Sequence, residues 1–342
     1  MKRVSILDVA RAAGVSVATV SRTLNNNGYV REEVRRRVEI AVKTTGYAPN
    51  FNARHLRTGR SRAIGLMVSN MANPLLSELF SALELHMHSV GFSLLVASTY
   101  DQPSREAELL ALFESRRLEG VIVSPSREDF SDENNPYDRC KLPLLVFDRD
   151  VEFKADLILQ DHRAGVRQAT EYLAALGHRR IALFGPTLAI RGGREKLEGY
   201  KEGLERQGIA FDPELVCMLR SVTGAPVRQM EAMLQLDKPL TAMIGLGTSM
   251  LASAISTARR AGRRIPEDLS VIGIGTEAGF ALMHPPMTAL RFNLNQVAQA
   301  ATELMMRRLS DPSAAEQFTR MVPLELVVGE SCAVRIPVGG NH

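Results

Sequence analysis

The 342-residue sequence has no tryptophan, three cysteines and only 5% aromatic residues. Cys140, Cys217 and Cys332 are far apart, odd in number and without histidines at ligand spacing, so neither a disulfide framework nor a metal site is expected. All three should be reduced, and no cofactor is implied. No run of about 18 uninterrupted apolar residues offers a membrane span. Met1-Lys2-Arg3 leads directly into a polar helix start rather than an apolar signal region, so a cytoplasmic protein without a membrane partner is expected. Catalytic signatures are missing too: there is no His-Glu-x-x-His and no Gly-x-Ser-x-Gly. Gly192-Gly193-Arg194-Glu195-Lys196 lacks the Lys-Ser/Thr ending of a phosphate loop, and in the stretch from Gly273 to Gly279 the last glycine falls one residue late for a dinucleotide turn. His86 and His88, two apart on a helix, face different ways. The chain is not expected to be an enzyme.

What is present is ordered along the chain. The net charge of +4 hides a basic head, with 13 Lys/Arg against 4 Asp/Glu through Arg62, on a body with 29 against 34. A head at +9 on a body at −5 fits a polyanion-binding segment carried by a body that avoids nucleic acid. Within the head, Ser5-Ile6-Leu7-Asp8 has capping-box spacing, and Ile6, Val9, Ala10 and Ala13 recur along one helical face. Gly14 supplies the positive φ that ends this helix, Val15 plugs the turn, and Ser16 caps a second helix over Val17 to Leu24 with Val20 and Leu24 inward. Two short helices on a tight glycine turn make a helix-turn-helix. Small Val17 and Ala18 let the second helix approach base edges, where Thr19, Ser21 and Arg22 supply hydroxyls and a bidentate donor suited to guanine. A solvated surface turn is the plainer alternative, and the residues that follow argue against it.

The run ILDVARAAGVSVATVSRTL (Ile6 to Leu24), with Gly46-Tyr47-Ala48-Pro49-Asn50 and Asn52-Ala53-Arg54-His55-Leu56-Arg57, resembles the lactose/galactose repressor family of bacterial transcription regulators. The resemblance covers the whole chain. It implies a third helix over about Glu32 to Thr45, where Arg31 stands in place of the usual Ser or Asp cap, and a hinge helix over about Asn50 to Thr58. It also implies that Leu56 wedges into a minor-groove base step and that Val17, Ala18 and Arg22 read bases. Lys2, Arg54 and Arg57 would serve phosphate or minor-groove electrostatics, and Ser5, Ser16, Asn25, Tyr29, Asn50 and Ala53 complete the DNA-facing set. The partner would be a pseudo-palindromic operator bound by a homodimer, since the tail from Arg335 lacks tetramerising leucine heptads.

From Ala63 onward, apolar runs of strand length alternate with amphipathic helical segments, the pattern of doubly wound α/β structure. Strands are expected at Ala63–Val68, Phe92–Ala97, Gly120–Val123, Leu144–Phe147, Ile181–Phe184, Ala242–Gly245, Leu269–Gly273, Thr288–Phe292 and Leu324–Val328. Helices are expected from Pro74 to about Val90 and over Gln102–Ser115, His162–Leu176, Glu195–Gln207, Met250–Ala261 and Gln296–Leu309. Two windings place a crevice at the carboxyl ends of the strands. The expected fold is therefore an all-α helix-turn-helix headpiece (1–49), a hinge (50–60) and an α/β two-lobed core (61–342) of two doubly wound parallel sheets. The resemblance makes this core periplasmic-binding-protein-like, with lobes of about 61–160 plus 292–322 and 161–291 plus 323–342. The crossings fall near Gln160, Arg291 and Pro323.

For the effector, departures from the family say more than matches. Gly247-Thr248 and Gly275-Thr276 stand where sugar-binding members carry Asn-Asp and Asp-Asp pairs. Leu75-Leu76 after Asn73-Pro74 replaces an aromatic pair, Phe292 replaces a glutamine, and Lys196 replaces an arginine. Asp148 is kept, and Arg191 and Arg194 lie on a stretch read as a loop reaching the cleft. Loss of carboxylates beside retained cations points to a small acid, such as a sugar acid, or a phosphorylated metabolite. The alternatives are that the arginines are surface charges and the pocket apolar. At the level of function, a transport receptor with the same core would carry a signal peptide in place of residues 1–60, which leaves a ligand-responsive DNA-binding regulator.

Overall fold

The computed structural model describes residues 4–24, 29–47, 61–130, 135–218, 227–246, 248–280, 282–314 and 316–335. The chain divides into a unit of Met1–Ser61 and a unit of Arg62–His342.

The first unit holds α1 (Ile6–Ala13), α2 (Val17–Leu24) and α3 (Glu32–Thr45). The Asp8 carboxylate accepts from the Ser5 N–H at 2.9 Å and its hydroxyl at 2.7 Å, closing the start of α1. Gly14 ends α1 at φ 62°. The Arg37 guanidinium of α3 donates to the carbonyls of Ala13 and Gly14 at 2.5 and 3.2 Å, which ties the third helix to the turn. A Cβ on Gly14 would lie 2.8 Å from that guanidinium tip, which would have to shift, and the positive φ itself strains any side chain there. Ser16 Oγ accepts the Thr19 N–H at 3.2 Å and caps α2. Arg31 makes no side-chain cap at α3, whose first turn carries Glu32 and Glu33 instead. Val9, Ala10, Ala13, Val20, Val38 and Ala41 form the core, with Ile6, Val15, Val17, Leu24, Val42 and Tyr47 packed against it.

The second unit is built on one sheet of eleven strands. In chain order its elements are β1 (Ala63–Val68), α4 (Pro74–Ser89), β2 (Ser93–Ser98), α5 (Pro103–Ser115), β3 (Gly120–Val123), β4 (Leu144–Phe147), β5 (Asp156–Asp161), α6 (His162–Ala175), β6 (Ile181–Gly185), α7 (Arg191–Arg206), β7 (Val216–Met218), α8 (Val227–Leu234), β8 (Ala242–Leu246), α9 (Thr248–Arg260), β9 (Ser270–Gly275), α10 (Glu277–Phe280), β10 (Thr288–Phe292), α11 (Leu294–Ser310) and β11 (Thr319–Val327). The strand order is β2-β1-β3-β4-β5-β11-β10-β9-β8-β6-β7.

The two windings are joined through β11. Its first half, Thr319 to Pro323, pairs in parallel with β5, and its second half, Leu324 to Val327, pairs antiparallel with β10. Pro323, which has no N–H to donate, stands where the partner changes. The core is accordingly two-lobed. Helices α4 and α11 cover one face of the first lobe around Leu79, Leu83, Ile158 and Val297, and α5 covers the other around Phe113 and Val121. The second lobe packs around Val166, Leu183, Phe184, Tyr200, Ile244 and Ile272. There α6 and α7 lie close enough that a Cβ on Gly199 would meet the Arg163 carbonyl oxygen at 2.2 Å.

Several boundaries differ from the sequence reading. Strands β5 and β7 and helices α8 and α10 were not expected, β11 begins at Thr319 rather than Leu324, and α7 begins at Arg191 rather than Glu195. The three cysteines are free thiols, Cys217 buried and the others half-buried. No helix among the described residues is long and apolar enough to cross a membrane.

Candidate functional site

In the headpiece, α2 presents Ala18 and Arg22, both exposed and four residues apart on one face. Ser16 is exposed beside them, while Val17, Thr19 and Ser21 are half-buried. The Thr19 hydroxyl shares a 2.9 Å hydrogen bond with Ser16 Oγ, and Val17 also packs against the core. Ser5 is half-buried and occupied with Asp8, and Tyr29 is 91% exposed. Lys2, Asn25, Asn50, Ala53, Arg54, Leu56 and Arg57 lie outside the described residues.

In the body, the carboxyl end of β4 delivers Asp148 with φ 54°, a left-handed conformation that aspartate tolerates better than most residues. Its carboxylate hydrogen-bonds His162 Nε2 at 2.8 Å and accepts the Gln160 N–H at 3.2 Å. Arg191 Nη1 lies 3.6 Å away. Burial alone would raise Asp148, but His162, Lys196 and Arg149 overcome it and hold the carboxyl well below the usual range. Burial pushes His162 below its ordinary value against the pull of Asp148. With its Nε2–H given to Asp148, its Nδ1 lone pair is buried without a partner among the described residues. Gln160 is fully buried, and neither atom of its carboxamide finds a partner there.

Helix α7 supplies the cations. Arg191 and Arg194 reach the cleft from its first turn, not from a loop, and both are engaged by carboxylates. Arg194 Nη2 lies 2.6 Å from Glu128 Oε2 and 2.8 Å from Asp150 Oδ2, while Arg191 Nε lies 3.3 Å from Asp150 Oδ1. Glu128 Oε1 also accepts the Arg191 N–H at 2.7 Å, so residues after β3 and β4 of the first lobe clasp the start of α7 in the second. Lys196 is different. It is buried, with no hydrogen bond and no ion pair within 4 Å among the described residues, and burial lowers it to about 8 against the attraction of Asp148. Among the described residues, Arg149 donates hydrogen bonds to the carbonyls of Pro125 and Asp148.

The other expected effector residues fall elsewhere. Asn73 Oδ1 caps α4 by accepting the Leu75 N–H at 3.1 Å, Leu76 is buried in the first lobe's core, and Leu75 packs against that core. Thr276 is buried and donates to Glu78 of α4 at 2.6 Å. Cβ atoms on Gly273 and Gly275 would meet the Phe280 ring at 2.7 and 2.9 Å, which explains that glycine run as packing. Phe292 stands edge-on to His162 with centroids 6.1 Å apart. Thr248 opens α9, and Gly247 lies outside the described residues. Sequence reasoning missed Glu128, Arg149, Asp150 and His162 and used Gln160 only as a crossing point. The single available signal was a histidine directly after the Asp161 cap, where the chain leaves the first sheet.

A helix-turn-helix unit and a two-lobed core with a polar cleft together define a transcriptional regulator with a periplasmic-binding-like body. Residues 5–50 match the model of the bacterial regulatory proteins of the lacI family, and residues 170–332 match the periplasmic binding protein-like domain. The chain is 28% identical over 328 residues to the ribose operon repressor of Halalkalibacterium halodurans, covering 96% of both chains. It is 27% identical to the transcriptional repressor PurR of Aliivibrio salmonicida, covering 96% of this chain and 98% of that one. Among solved structures it is similar to the lac repressor dimer bound to operator and the anti-inducer ONPF, with TM-score 0.81 and 26% identity over 97% of this chain and 100% of that one. A complex of the regulator CelR with cellobiose matches with TM-score 0.72 and 26% identity over 96% of this chain and 100% of that one. The chain belongs to the lacI family of bacterial transcriptional regulators.

Proposed function

We propose that the protein is a cytoplasmic repressor that binds a pseudo-palindromic operator as a homodimer and whose DNA affinity is set by a small anionic metabolite in the cleft of its core. Residues 1–49 form the reading head, 50–60 the hinge and 61–342 the effector-binding and dimerising body. Val17, Ala18 and Arg22 read bases, with Ser5, Ser16, Thr19, Ser21, Asn25 and Tyr29 around them. Leu56 is the minor-groove wedge, flanked by Asn50, Ala53, Arg54 and Arg57. The relative solved as a dimer on operator supports this arrangement. Exposed Leu85 on α4 and Val90 just after it are suited to a second copy.

The observation that carries the effector reading is the Lys196 ammonium, buried and with no carboxylate within 4 Å among the described residues, on the helix turn at Gly192 that His162 and Asp148 also face. Arg191 and Arg194 are neutralised by Asp150 and Glu128, so the preference for an acid over a neutral sugar rests on Lys196 and Arg149. The test is a thermal-shift screen of sugar acids, sugar phosphates and neutral sugars. A ligand at about 100 times its Kd raises stability by roughly 2.7 kcal/mol. Acids and phosphates should raise the melting temperature. Stabilisation by neutral sugars alone contradicts the reading.

A further inference from the structure

Helix α5 buries the stripe that carries Glu106, Leu110 and Phe113, while Arg105 and Ala107 on either side of Glu106 are exposed. Two of these buried residues are apolar, and Glu106 is a carboxylate with no exposed surface. Burying a carboxylate is costly unless hydrogen bonds hold it, and a methionine would fill the stripe without that cost. Burial pushes the Glu106 carboxyl above the usual range, with the Tyr137 phenol and the Ser126 N–H pulling the other way.

What the carboxylate secures is the loop after β3. Glu106 Oε1 accepts the Ser126 N–H at 2.7 Å, and the Pro125 carbonyl accepts from Arg149 Nε at 2.9 Å. One peptide unit is thus fixed at both its oxygen and its N–H. Two residues further on, Glu128 Oε1 accepts the Arg191 N–H at 2.7 Å and the Asp150 N–H at 3.2 Å, and its Oε2 pairs with Arg194 at 2.6 Å. Arg191 is the first residue of α7, where an N–H has no acceptor within its own helix, so the first lobe supplies one to the second.

We propose that Glu106 is a positioning residue for closure of the cleft: by fixing the peptide between Pro125 and Ser126 it aims Glu128 at the start of α7, and so sets how firmly the two lobes hold together. Glu106 acts through Glu128 and not on a ligand. An acceptor of its length is needed to reach Ser126, whereas packing alone needs none. The consequence for DNA affinity rests on the reading of the cleft as the effector site, and the link from Glu106 to Arg191 does not.

The test is amide hydrogen exchange on the full chain without ligand, read residue by residue, with Glu128→Ala giving the rate of an unclasped helix start. Glu106→Met removes the acceptor and suits the buried stripe. It should speed exchange at the Arg191 amide by about tenfold or more, as expected for loss of a hydrogen bond to a charged group. Glu106→Asp, one carbon too short, should do the same and serves if the methionine variant does not fold. Glu106→Gln keeps the reach with a neutral acceptor and should restore slow exchange. Faster exchange confined to α5 and Ser126, with Arg191 unchanged in the methionine and aspartate variants, makes Glu106 a packing residue of the first lobe and overturns the proposal. Fast exchange of Arg191 in Glu106→Gln overturns it as well, because reach would then not be what matters. A melting assay with sugar acids and sugar phosphates separates this link from the effector reading: if none stabilises the unsubstituted protein while the exchange results hold, the effector reading fails and the positioning role stands.

Discussion

At the scale of single residues, the cleft is a set of buried charges whose titration reports on folding. His162 has a folded value below its ordinary 6.5, so the unfolded chain takes up a proton first as pH falls. Its contribution to stability is therefore full above 6.5 and is lost below it, with a limiting slope of about 1.4 kcal/mol per pH unit. Replacing His162 by Gln should flatten urea-midpoint stability between pH 6.5 and 5, and an unchanged slope would place the acid sensitivity elsewhere. In the headpiece, Arg22→Ala should cost about 1–3 kcal/mol of operator binding and relax specificity at one guanine. Equal losses on operator and random DNA would reduce Arg22 to a phosphate contact. Asp148 and Lys196 could be picked out in the sequence because their family positions carry the same chemistry. His162 and Gln160 could not, since nothing local marks a residue whose role comes from strands and helices meeting at a crossover.

At the scale of elements, the regular helices and most strands were readable from periodicity and caps, and the misplaced boundaries share a cause. The start of α7 read as a loop because Gly192-Gly193 disfavours helix. Packing overrides that propensity: a Cβ on Gly193 would meet the Thr187 carbonyl oxygen at 2.1 Å, so only glycine admits the helix there. Strand β5 was hidden by the carboxylates at its ends. Asp156 is held by Arg308 at 3.0 Å, and Asp161 caps α6 at 3.0 Å, so neither charge is loose. The clasp of Glu128 and Asp150 on α7 joins loops far apart in sequence, which no local pattern encodes. Arg194→Ala should lower stability by about 1–2 kcal/mol, less than for a fully buried pair because Arg194 is 41% exposed while Glu128 is 7% exposed. Glu128→Gln in the same background should then cost little more, and additive losses in this double-mutant cycle would show that the two do not interact. Gly14→Ala should destabilise the headpiece by about 1–3 kcal/mol, read as earlier loss of α1 and α2 amide protection, because φ 62° strains a side chain there and the Arg37 guanidinium that ties α3 to the turn would have to shift.

At the scale of the whole molecule, the chain separates a basic head from a mildly acidic body, and this division governs how it meets DNA. Affinity for any duplex should fall steeply with salt, with each lost phosphate contact reducing the slope by about one. Leu56→Ala should spare the body's melting temperature while reducing both operator affinity and the bend angle, since a wedge acts only in the complex. The central claim is that one chain couples reading of a specific operator to occupation of the cleft. It is tested most directly by fluorescence anisotropy on promoter DNA from the protein's own locus and on scrambled DNA, at one fixed salt concentration, with and without the acid that most raises the melting temperature. The account predicts at least about a thousandfold preference for the promoter and a clear change in that preference with the acid, lost in Lys196→Ala. Equal affinity for both DNAs, or an operator affinity indifferent to a ligand that demonstrably binds the cleft, would contradict it.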